Sequence, residues 1–427
     1  MRSVLALAAT VAAAVVLAVA TAGAVDGTAD APLPVAAPAP HAAGWPTGAM
    51  PHAPANFRVI AFARDLDGPR ALLVLPNGDV LVAESRGADE SNAPSANRVT
   101  LLRDSTGAGV ADVRFALVTS LDRPAGLALR RDRLYIANTN AIVGCPFLVG
   151  QTRLHGECHP LADLPAAGGK DHWARPLALS PDETRLVAGV GSSGFNTTDY
   201  RDRTEPERAA IVSIAPDGRG RRTVASGLMD PSGLAFEPTS SRLYATVSER
   251  VLPSGERVPD FLARIEDGAF YGWPYAYSGH HEDPRHVGEQ PSLVAKSRAP
   301  DLELPPGSMP RGLAFYGRDQ FPKGYRGAAF LALGGALDGA PVGYRVVSVP
   351  FADGKPSGPP ADFLTGFVGE GAEPAAYGRP SAVAVATDGT LLVADDIGNT
   401  IWRVIFKCAA CSPDPMIPHS RVKRPNG

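Results

Sequence analysis

Charged side chains stand beside short apolar runs at several points of the chain, and their types indicate two kinds of chemistry. The guanidinium group of arginine binds carboxylates through planar, paired hydrogen bonds. The imidazole of histidine titrates near neutral pH and can accept a proton from a hydroxyl group. The candidates are Arg123, His172, Arg175, Asp230, Arg311 and Arg379. Their composition favours a site that binds an anion and accepts a proton.

His172 follows a glycine-rich stretch, residues 168–171, which lets the backbone come close to a ligand. In such a place His172 would act as a general base. The alternative is a structural histidine that is hydrogen-bonded within the fold. Arg175, Arg311 and Arg379 leave a similar choice open, because arginines beside strands also form ion pairs within a protein.

Glu249 and Asp260 lie near one loop that could add carbonyl oxygens, and oxygen ligands suit calcium. Their spacing is not that of an EF-hand, and solvated loop acids are the alternative. Asp395 and Asp396 carry the same ambiguity. Three histidines in a polar insertion could form a zinc cluster, but no regular element fixes their spacing and we expect an exposed loop: His280, His281 and His286.

A sequence motif that repeats six times, which we call the phrase, predicts the strands that position these residues. Each copy holds two short runs rich in Val, Leu, Ala and Tyr around a turn such as PNG, PDE or TDG, which is the pattern of a β-hairpin. The copies begin at Gly68-Pro69, Arg123-Pro124, Arg175-Pro176, Asp230-Pro231, Met309-Pro310 and Arg379-Pro380. A ring of such sheets buries both faces of every sheet, which a lone hairpin cannot do. We therefore predict an all-β, single-domain, six-bladed β-propeller over residues 57–405, with a pocket at one end of its axis.

The segments outside the propeller have their own composition. Residues 1–24 match the charged, apolar and small-residue parts of a secretory signal, with cleavage predicted after Ala24 and a retained membrane anchor as the alternative. Residues 25–56 are rich in Ala, Pro and Gly and predict a disordered tether, and residues 406–427 predict a frayed, proline-rich tail. The net charge of −3 gives no basic field for nucleic acid. We expect a secreted or periplasmic protein without a stable membrane span after cleavage.

Four cysteines suit an exported protein. Cys145 and Cys158 bracket a short insertion, and we favour a disulfide between them. Cys408 and Cys411 form a CxxC motif, for which a local disulfide or free thiols are more plausible than a zinc site. No histidine follows Cys411, so covalent haem attachment is not supported.

Several stretches together resemble the sorbosone and soluble glucose dehydrogenase family, six-bladed propellers that bind pyrroloquinoline quinone and calcium and oxidise sugars. The resemblance covers residues 57–405. The stretches are DHW at 171–173, ERAAIVSIAPDGRGRR at 207–222, SGLMDPSGLAF at 226–236, VPDFLARIEDGAFYGWPYAY at 258–277 and YGRPSAVAVATDGTLLVADDIGNTIWRV at 377–404. GAFYGWPY is the most telling of them.

The resemblance implies roles for particular residues. His172 matches the general base that takes the hydroxyl proton while hydride passes to the quinone, and Arg379 matches a basic residue near the quinone carboxylates. The segment around Glu249, with Asp260, matches the loop that supports the cofactor-bound calcium. We also expect Arg175, Asp230 and Arg311 to contact the cofactor, an expectation that for the two arginines rests on their charge and their position beside inner strands.

Two departures from the family pattern concern those contacts. The chain has Met229-Asp230 where relatives carry Arg-Asn, and residues 333–339 read LGGALDG where many relatives carry a polar segment. Arg311 could supply compensating charge. The leading hypothesis is a quinone-dependent dehydrogenase acting on an aldose or a sorbosone-like sugar, with an unidentified electron acceptor. The alternatives are a cofactor-free propeller that binds a ligand or protein, and a calcium-dependent sugar lactonase.

Overall fold

Six four-stranded antiparallel sheets form a ring, which confirms the predicted six-bladed β-propeller. The computed structural model describes residues 40–86, 95–166, 172–194, 207–336, 341–370 and 374–407. The innermost strand of each sheet contacts the innermost strands of the two neighbouring sheets, and these contacts run around the complete circle. Each repeated phrase supplies the two inner strands of one blade.

The strands are numbered along the chain. Blade 1 contains β3 (Pro69–Val74), β4 (Val80–Glu84), β5 (Arg98–Arg103) and β6 (Val113–Val118); blade 2 contains β7 (Gly126–Arg130), β8 (Arg133–Ala137), β9 (Ala141–Pro146) and β10 (His159–Asp163); blade 3 contains β11 (Leu177–Leu179), β12 (Leu186–Val190), β13 (Ala210–Ile214) and β14 (Arg222–Ser226). Blade 4 contains β15 (Asp230–Phe236), β16 (Leu243–Ser248), β17 (Phe261–Arg264) and β20 (Leu302–Glu303); blade 5 contains β21 (Pro310–Phe315), β22 (Ala329–Leu333), β23 (Arg345–Val349) and β26 (Ala361–Leu364); blade 6 contains β28 (Pro380–Val385), β29 (Leu391–Asp395), β30 (Thr400–Phe406) and β2 (Phe57–Ala63). The short elements outside the blades are β1 (His41–Ala42), β18 (Ala276–Tyr277), β19 (His281–Glu282), β24 (Phe351–Ala352), β25 (Lys355–Pro356), β27 (Ala375–Ala376), the helical turn α1 (Pro291–Val294) and a 3-10 turn at Lys323–Tyr325.

Blade 6 closes the ring by combining strands from both ends of the propeller. Its outermost strand β2 pairs antiparallel with β30, so that Phe57 lies opposite Phe406 and Val59 opposite Val404. This pairing joins the first and last segments of the domain. A closed ring leaves only short sheet edges exposed.

Small residues let the blades approach one another at the axis. The second residue after the proline of each phrase is glycine or alanine in all six copies. A β-carbon on Gly126 would lie 2.3 Å from the carbonyl oxygen of Arg175, and one on Gly312 would lie 2.8 Å from Cα of Ala382. Larger side chains at these positions would push neighbouring inner strands apart.

The composition predicts a disordered tether over residues 25–56, but residues 40–56 lie against the propeller. β1 pairs in parallel with β27, and Trp45 Nε1 donates a hydrogen bond to Asp395 Oδ2 at 2.6 Å. The Trp45 ring also packs edge-on against Trp402 at 5.2 Å between centroids. A large ring with a satisfied indole N–H anchors a segment that is otherwise poor in apolar residues. The earlier part of the predicted tether lies outside the described residues, as does the predicted signal segment.

The polar insertion after β18 is not wholly exposed, contrary to the expectation from sequence. Asp283 and His286 are buried. The fully buried Arg250 donates to Asp283 Oδ2 at 3.2 Å and to the carbonyl oxygen of Pro274 at 2.9 Å, and the His286 ring packs edge-on against Tyr275. Within the described ranges, no group of three His, Cys, Asp or Glu side chains could hold a metal ion. The insertion therefore does not form a zinc cluster there.

Cys145 and Cys158 form the expected disulfide, between β9 and the start of β10. Cys408 and Cys411 lie outside the described residues, together with the predicted tail from residue 408 onward. In the part of the chain that the structure describes, no helix has the length and apolar character needed to cross a membrane.

Candidate active site

A pocket of about 280 Å³ lies where the six inner strands meet. The residue that follows the proline of each phrase lines it in all six blades: Arg70, Ala125, Leu177, Ser232, Arg311 and Ser381. Blades 1, 4, 5 and 6 contribute the arginines and serines, whereas blades 2 and 3 contribute the apolar side chains. Among these six residues, the polar side chains therefore come from one side of the ring and the apolar ones from the other.

β-Bulges direct the four polar residues of this set toward the axis. In the pairing of the first and second strands of these blades, one residue of the first strand has no partner opposite it: Arg70, Ser232, Arg311 and Ser381. A bulged residue leaves the regular alternation of the strand, so its side chain takes a new direction. The preceding proline fixes the entry of the strand and has no N–H group to leave unpaired.

His172 lies on the pocket wall, and its hydrogen bonds fix its tautomer. Its Nδ1 is 2.8 Å from Ser192 Oγ, and the Ser192 hydroxyl donates to the carbonyl oxygen of Gly194 at 2.7 Å. A hydroxyl has one hydrogen, so Ser192 must accept the bond from His172 Nδ1–H. Nε2 is then the nitrogen that can accept a proton, as a general base requires.

Arg175 is buried behind His172 and does not line the pocket. Its guanidinium donates to the carbonyl oxygens of His172 at 2.5 Å and Pro165 at 2.8 Å. Burial lowers its pKa to about 10. These contacts hold the segment that carries His172, so Arg175 supports the position of His172 rather than contacting the pocket.

Three guanidinium groups surround Asp396, for which the sequence left open whether it is a calcium ligand or a solvated loop acid. Arg379 binds it through Nε–Oδ1 at 2.7 Å and Nη2–Oδ2 at 2.9 Å, Arg70 Nη1 lies 2.5 Å from Oδ2, and Arg311 Nη1 lies 3.9 Å from Oδ2. Burial opposes ionisation, but Arg379 and Arg70 hold the pKa of Asp396 well below its usual range. Arg379 lies behind the pocket wall, whereas Arg70 and Arg311 reach the pocket.

Sequence reasoning missed Arg70, although a signal was available. Arg70 follows Pro69 as Arg311 follows Pro310, so the two residues hold the same place in their phrases. Burial lowers the pKa of Arg70 to about 9 and that of Arg311 to about 10. Both cations are thus placed in a poorly solvated wall, where a carboxylate ligand would interact with them strongly.

Gly334, one of the departures from the family pattern, makes room for Arg311. A β-carbon at this position would lie 2.5 Å from Arg311 Nε and 2.6 Å from its Cδ. Such contacts are too short for any side chain larger than hydrogen to be tolerated without movement. The absence of a side chain at Gly334 and the position of the Arg311 side chain are therefore one structural feature.

Trp173 is a second residue that the sequence did not single out as functional. It lines the pocket next to His172, and the guanidinium carbons of Arg70 and Arg123 lie 5.3 Å and 5.7 Å from its ring centroid. Thr139 Oγ1 donates to its carbonyl oxygen at 3.1 Å. Arg123 therefore contacts the ring that forms the wall, and Trp173 offers a flat aromatic surface next to His172 and below the Arg70 guanidinium.

Asp230 lines the same pocket, whereas its neighbour Met229 is buried against Ala209 and Trp273. Asp230 Oδ1 is buried, and no described residue donates a hydrogen bond to it. The polar group of the Met229-Asp230 pair thus faces the pocket and the apolar group faces the core.

Glu249 and Asp260 lie beside one another, but only Glu249 has an oxygen available. Asp260 accepts hydrogen bonds from Glu249 N at 2.8 Å, Met309 N at 2.8 Å and Ser308 Oγ at 3.2 Å, and burial raises its pKa to about 7. Glu249 Oε2 accepts from Arg250 Nε at 2.9 Å, while Oε1 is buried with no hydrogen-bond partner among the described residues. Burial raises the pKa of Glu249. Neither residue lines the pocket, although Ser248 beside Glu249 does; Glu249 keeps one unpaired carboxylate oxygen next to the wall, whereas Asp260 anchors the loop.

Comparison with known proteins places this geometry in a family. The family model described as Glucose / Sorbosone dehydrogenase matches residues 66–343. An uncharacterized protein of Borreliella burgdorferi is 24% identical over 312 residues, which are 69% of this chain and 78% of that protein.

Solved structures share the fold at low sequence identity. A family AA12 carbohydrate-active enzyme from Trichoderma reesei has a TM-score of 0.70 at 19% identity and covers 88% of this chain and 99% of its own. The pyrroloquinoline quinone domain of a pyranose dehydrogenase from Coprinopsis cinerea, in its holo form, has a TM-score of 0.66 at 18% identity, with 83% and 97% covered. The quinone-bound aldose sugar dehydrogenase of Streptomyces coelicolor has a TM-score of 0.58 at 20% identity, with 83% and 99% covered. With a family match over most of the propeller and the same ring architecture, this chain belongs to the glucose/sorbosone dehydrogenase family.

Proposed function

We propose that this chain is a pyrroloquinoline quinone-dependent dehydrogenase that oxidises an aldose or a sorbosone-like sugar. The observation that carries the proposal is the placement of His172, Arg70 and Arg311 around one pocket. Oxidation of a hydroxyl group beside an anionic quinone needs a base for the proton and cations for the cofactor. Membership of the family supports the same reaction class.

The residues present fit the quinone. Arg70 and Arg311 would bind its carboxylates, with Arg379 holding Asp396 in place behind them, and Trp173 would pack against its flat face. When bound, the quinone supplies the acceptor for the hydride that leaves the sugar carbon. Arg311 and Gly334 together offset the cation that relatives carry at the position of Met229.

His172 would take the proton of the sugar hydroxyl at Nε2. Ser192 keeps the proton of the neutral ring on Nδ1 and orients the imidazole, and Arg175 holds the backbone carbonyl of His172. A base held in one tautomer and one orientation accepts the proton without reorganisation.

Calcium belongs to the proposal with Glu249 as the protein carboxylate that would contact it through Oε1. Asp260 is assigned the supporting role, since both of its oxygens already accept hydrogen bonds. A Glu249→Gln variant should lose the rise in melting temperature that calcium gives the quinone-loaded protein, while Glu303→Gln, in the outermost strand of the same blade, should keep it.

We assign the protein to the periplasm or the cell exterior. The Cys145–Cys158 disulfide supports this location, because such bonds persist in oxidising compartments.

The test is addition of pyrroloquinoline quinone and calcium to purified protein, with binding measured by calorimetry and sugar oxidation measured by reduction of a dye. We expect saturable binding and sugar-dependent dye reduction, with turnover lost in a folded His172→Ala variant. Quinone-free protein that hydrolyses sugar lactones would instead support the lactonase alternative. Folded, calcium-loaded protein that neither binds the quinone nor hydrolyses lactones would support the cofactor-free binding propeller.

A further inference from the structure

Asp230 presents a buried oxygen that no described residue satisfies, on the wall of the pocket. A carboxylate oxygen in this condition costs folding free energy unless a bound group donates a hydrogen to it. Asp230 begins β15 and is half-buried, so its side chain faces the pocket while its backbone belongs to the sheet. Asp230 Oδ1 is therefore a hydrogen-bond acceptor that a donor group of a bound ligand can satisfy.

The same carboxylate lies next to the proposed base. A β-carbon on Gly191 would lie 2.5 Å from His172 Cβ and 3.0 Å from Asp230 Oδ1, so the two residues converge on one point. Ser192, whose hydroxyl binds His172, also donates its backbone N–H to the carbonyl oxygen of Met229 at 2.7 Å. The base and the carboxylate are thus held in a fixed relation by one residue.

Charge decides which ligand group can meet Asp230. A quinone that bears three carboxylates would be repelled by a further carboxylate, whereas Arg70 and Arg311 would attract it. Sugar hydroxyls donate hydrogen bonds, and an ionised carboxylate only accepts them. We infer that Asp230 binds hydroxyl groups of the sugar beside the carbon that is oxidised, and that it selects neutral and amino sugars over sugar acids.

This inference rests on the proposed function and replaces the expected cofactor role of Asp230 with a substrate role. The resemblance implies a neutral asparagine amide at the position of Asp230 in relatives, so the charge of Asp230 should give this chain a different sugar preference. A sugar carboxylate near Asp230 would meet like charge, and an ammonium group would meet opposite charge. Substrate choice should therefore follow the charge of the sugar.

The experiment compares wild type with Asp230→Asn, which preserves shape, and with Asp230→Glu, which preserves charge. Asp267→Asn, at an exposed position of blade 4 that does not line the pocket, is the control. Quinone affinity is measured by calorimetry without turnover, and KM and kcat are measured for glucose, glucosamine and glucuronate. Sugar binding to cofactor-free protein is measured in parallel from the shift in melting temperature, which follows ligand affinity.

We expect Asp230→Asn to raise the KM for glucose about tenfold, the loss typical of a hydrogen bond to a charged group, with quinone affinity changed less than threefold. The preference for glucosamine over glucuronate should fall in Asp230→Asn and remain in Asp230→Glu. A tenfold change in quinone affinity with unchanged sugar KM would overturn the inference, as would unaltered preference among the three sugars.

The cofactor-free measurement separates this inference from the proposed function. If wild type binds no quinone, the proposed function fails on its own. A thermal shift with glucosamine in wild type that Asp230→Asn lacks would still support the role of Asp230 in sugar binding. Equal shifts in the two proteins, or none in either, would contradict it.

Discussion

Replacement of Gly334 by alanine tests whether this glycine exists to make room for Arg311. The new β-carbon would lie 2.5 Å from Nε and 2.6 Å from Cδ of Arg311, nearly 1 Å inside ordinary contact. The backbone of Gly334 is not in the left-handed region, so alanine adds bulk without backbone strain. Arg311 or the end of β22 must move, and overpacking of this kind costs about 1–3 kcal/mol. Displacement of the guanidinium should also weaken quinone binding about tenfold, as loss of one charge-assisted hydrogen bond does.

A double-mutant cycle isolates the contact. The free energy of unfolding is measured by urea denaturation for Gly334→Ala, Arg311→Ala and the double variant. Truncation of Arg311 removes the atoms that the new methyl group would meet, so Gly334→Ala should cost about 1–3 kcal/mol less in the Arg311→Ala background. Gly317→Ala, where a β-carbon meets nothing within 4 Å, serves as the matched control. Additive costs in the cycle would refute the explanation of Gly334.

Three further perturbations address the base, the arginine cluster and the disulfide. Ser192→Ala should lower kcat about tenfold, because the lost hydrogen bond of about 1–1.5 kcal/mol no longer fixes the His172 tautomer. Ser192→Thr should restore part of the rate. Ser213→Ala, at a serine that is also buried in blade 3 but lies away from the pocket, should leave kcat unchanged, and stopped-flow dye reduction measures all three. Asp396→Asn should cost about 3–5 kcal/mol at neutral pH, because it leaves buried guanidinium groups without their shared carboxylate. Since the pKa of Asp396 is depressed in the fold, its contribution to wild-type stability is fully present above about pH 4 and is lost as pH falls below that value. Urea titrations between about pH 2 and pH 5 should find this loss reduced in the variant. Joint replacement of Cys145 and Cys158 by alanine should lower the free energy of unfolding by about 2–4 kcal/mol, whereas an unchanged denaturation midpoint would mean that the insertion is held by its other contacts.

The repeated phrase carried enough information to predict the ring but not its closure. All six inner strands begin within two residues of the predicted prolines, because each phrase pairs a proline with alternating apolar residues that must be buried. The pairing of β2 with β30 lies between segments far apart in sequence, and no turn signal links them. The docking of Trp45 onto Asp395 escaped prediction for the same reason, since a single aromatic residue in a proline-rich segment has no periodicity.

The site was only partly predictable, because the direction of a side chain near the axis depends on backbone details. Arg175 and Arg379 precede their prolines and are buried behind the pocket wall, where they bind carbonyl oxygens and Asp396. Asp230 also precedes its proline and yet lines the pocket. The residue types suggested that all three could bind a ligand. Their shared position before the proline did not show which of them line the pocket and which support its wall.

The bulges supply the distinction that residue type lacks. The residue after the proline lines the pocket in all six blades, and in four of them a skipped register places it there. The side chain at that position takes no part in the backbone pairing of its strand, so different blades can carry different residue types there. In this chain the two cations are Arg70 and Arg311, on blades 1 and 5, and both lie against the carboxylate that Arg379 holds. If relatives place a cation where this chain has Met229, as the resemblance implies, the pocket still keeps positive charge, because Arg70 and Arg311 supply it from other blades.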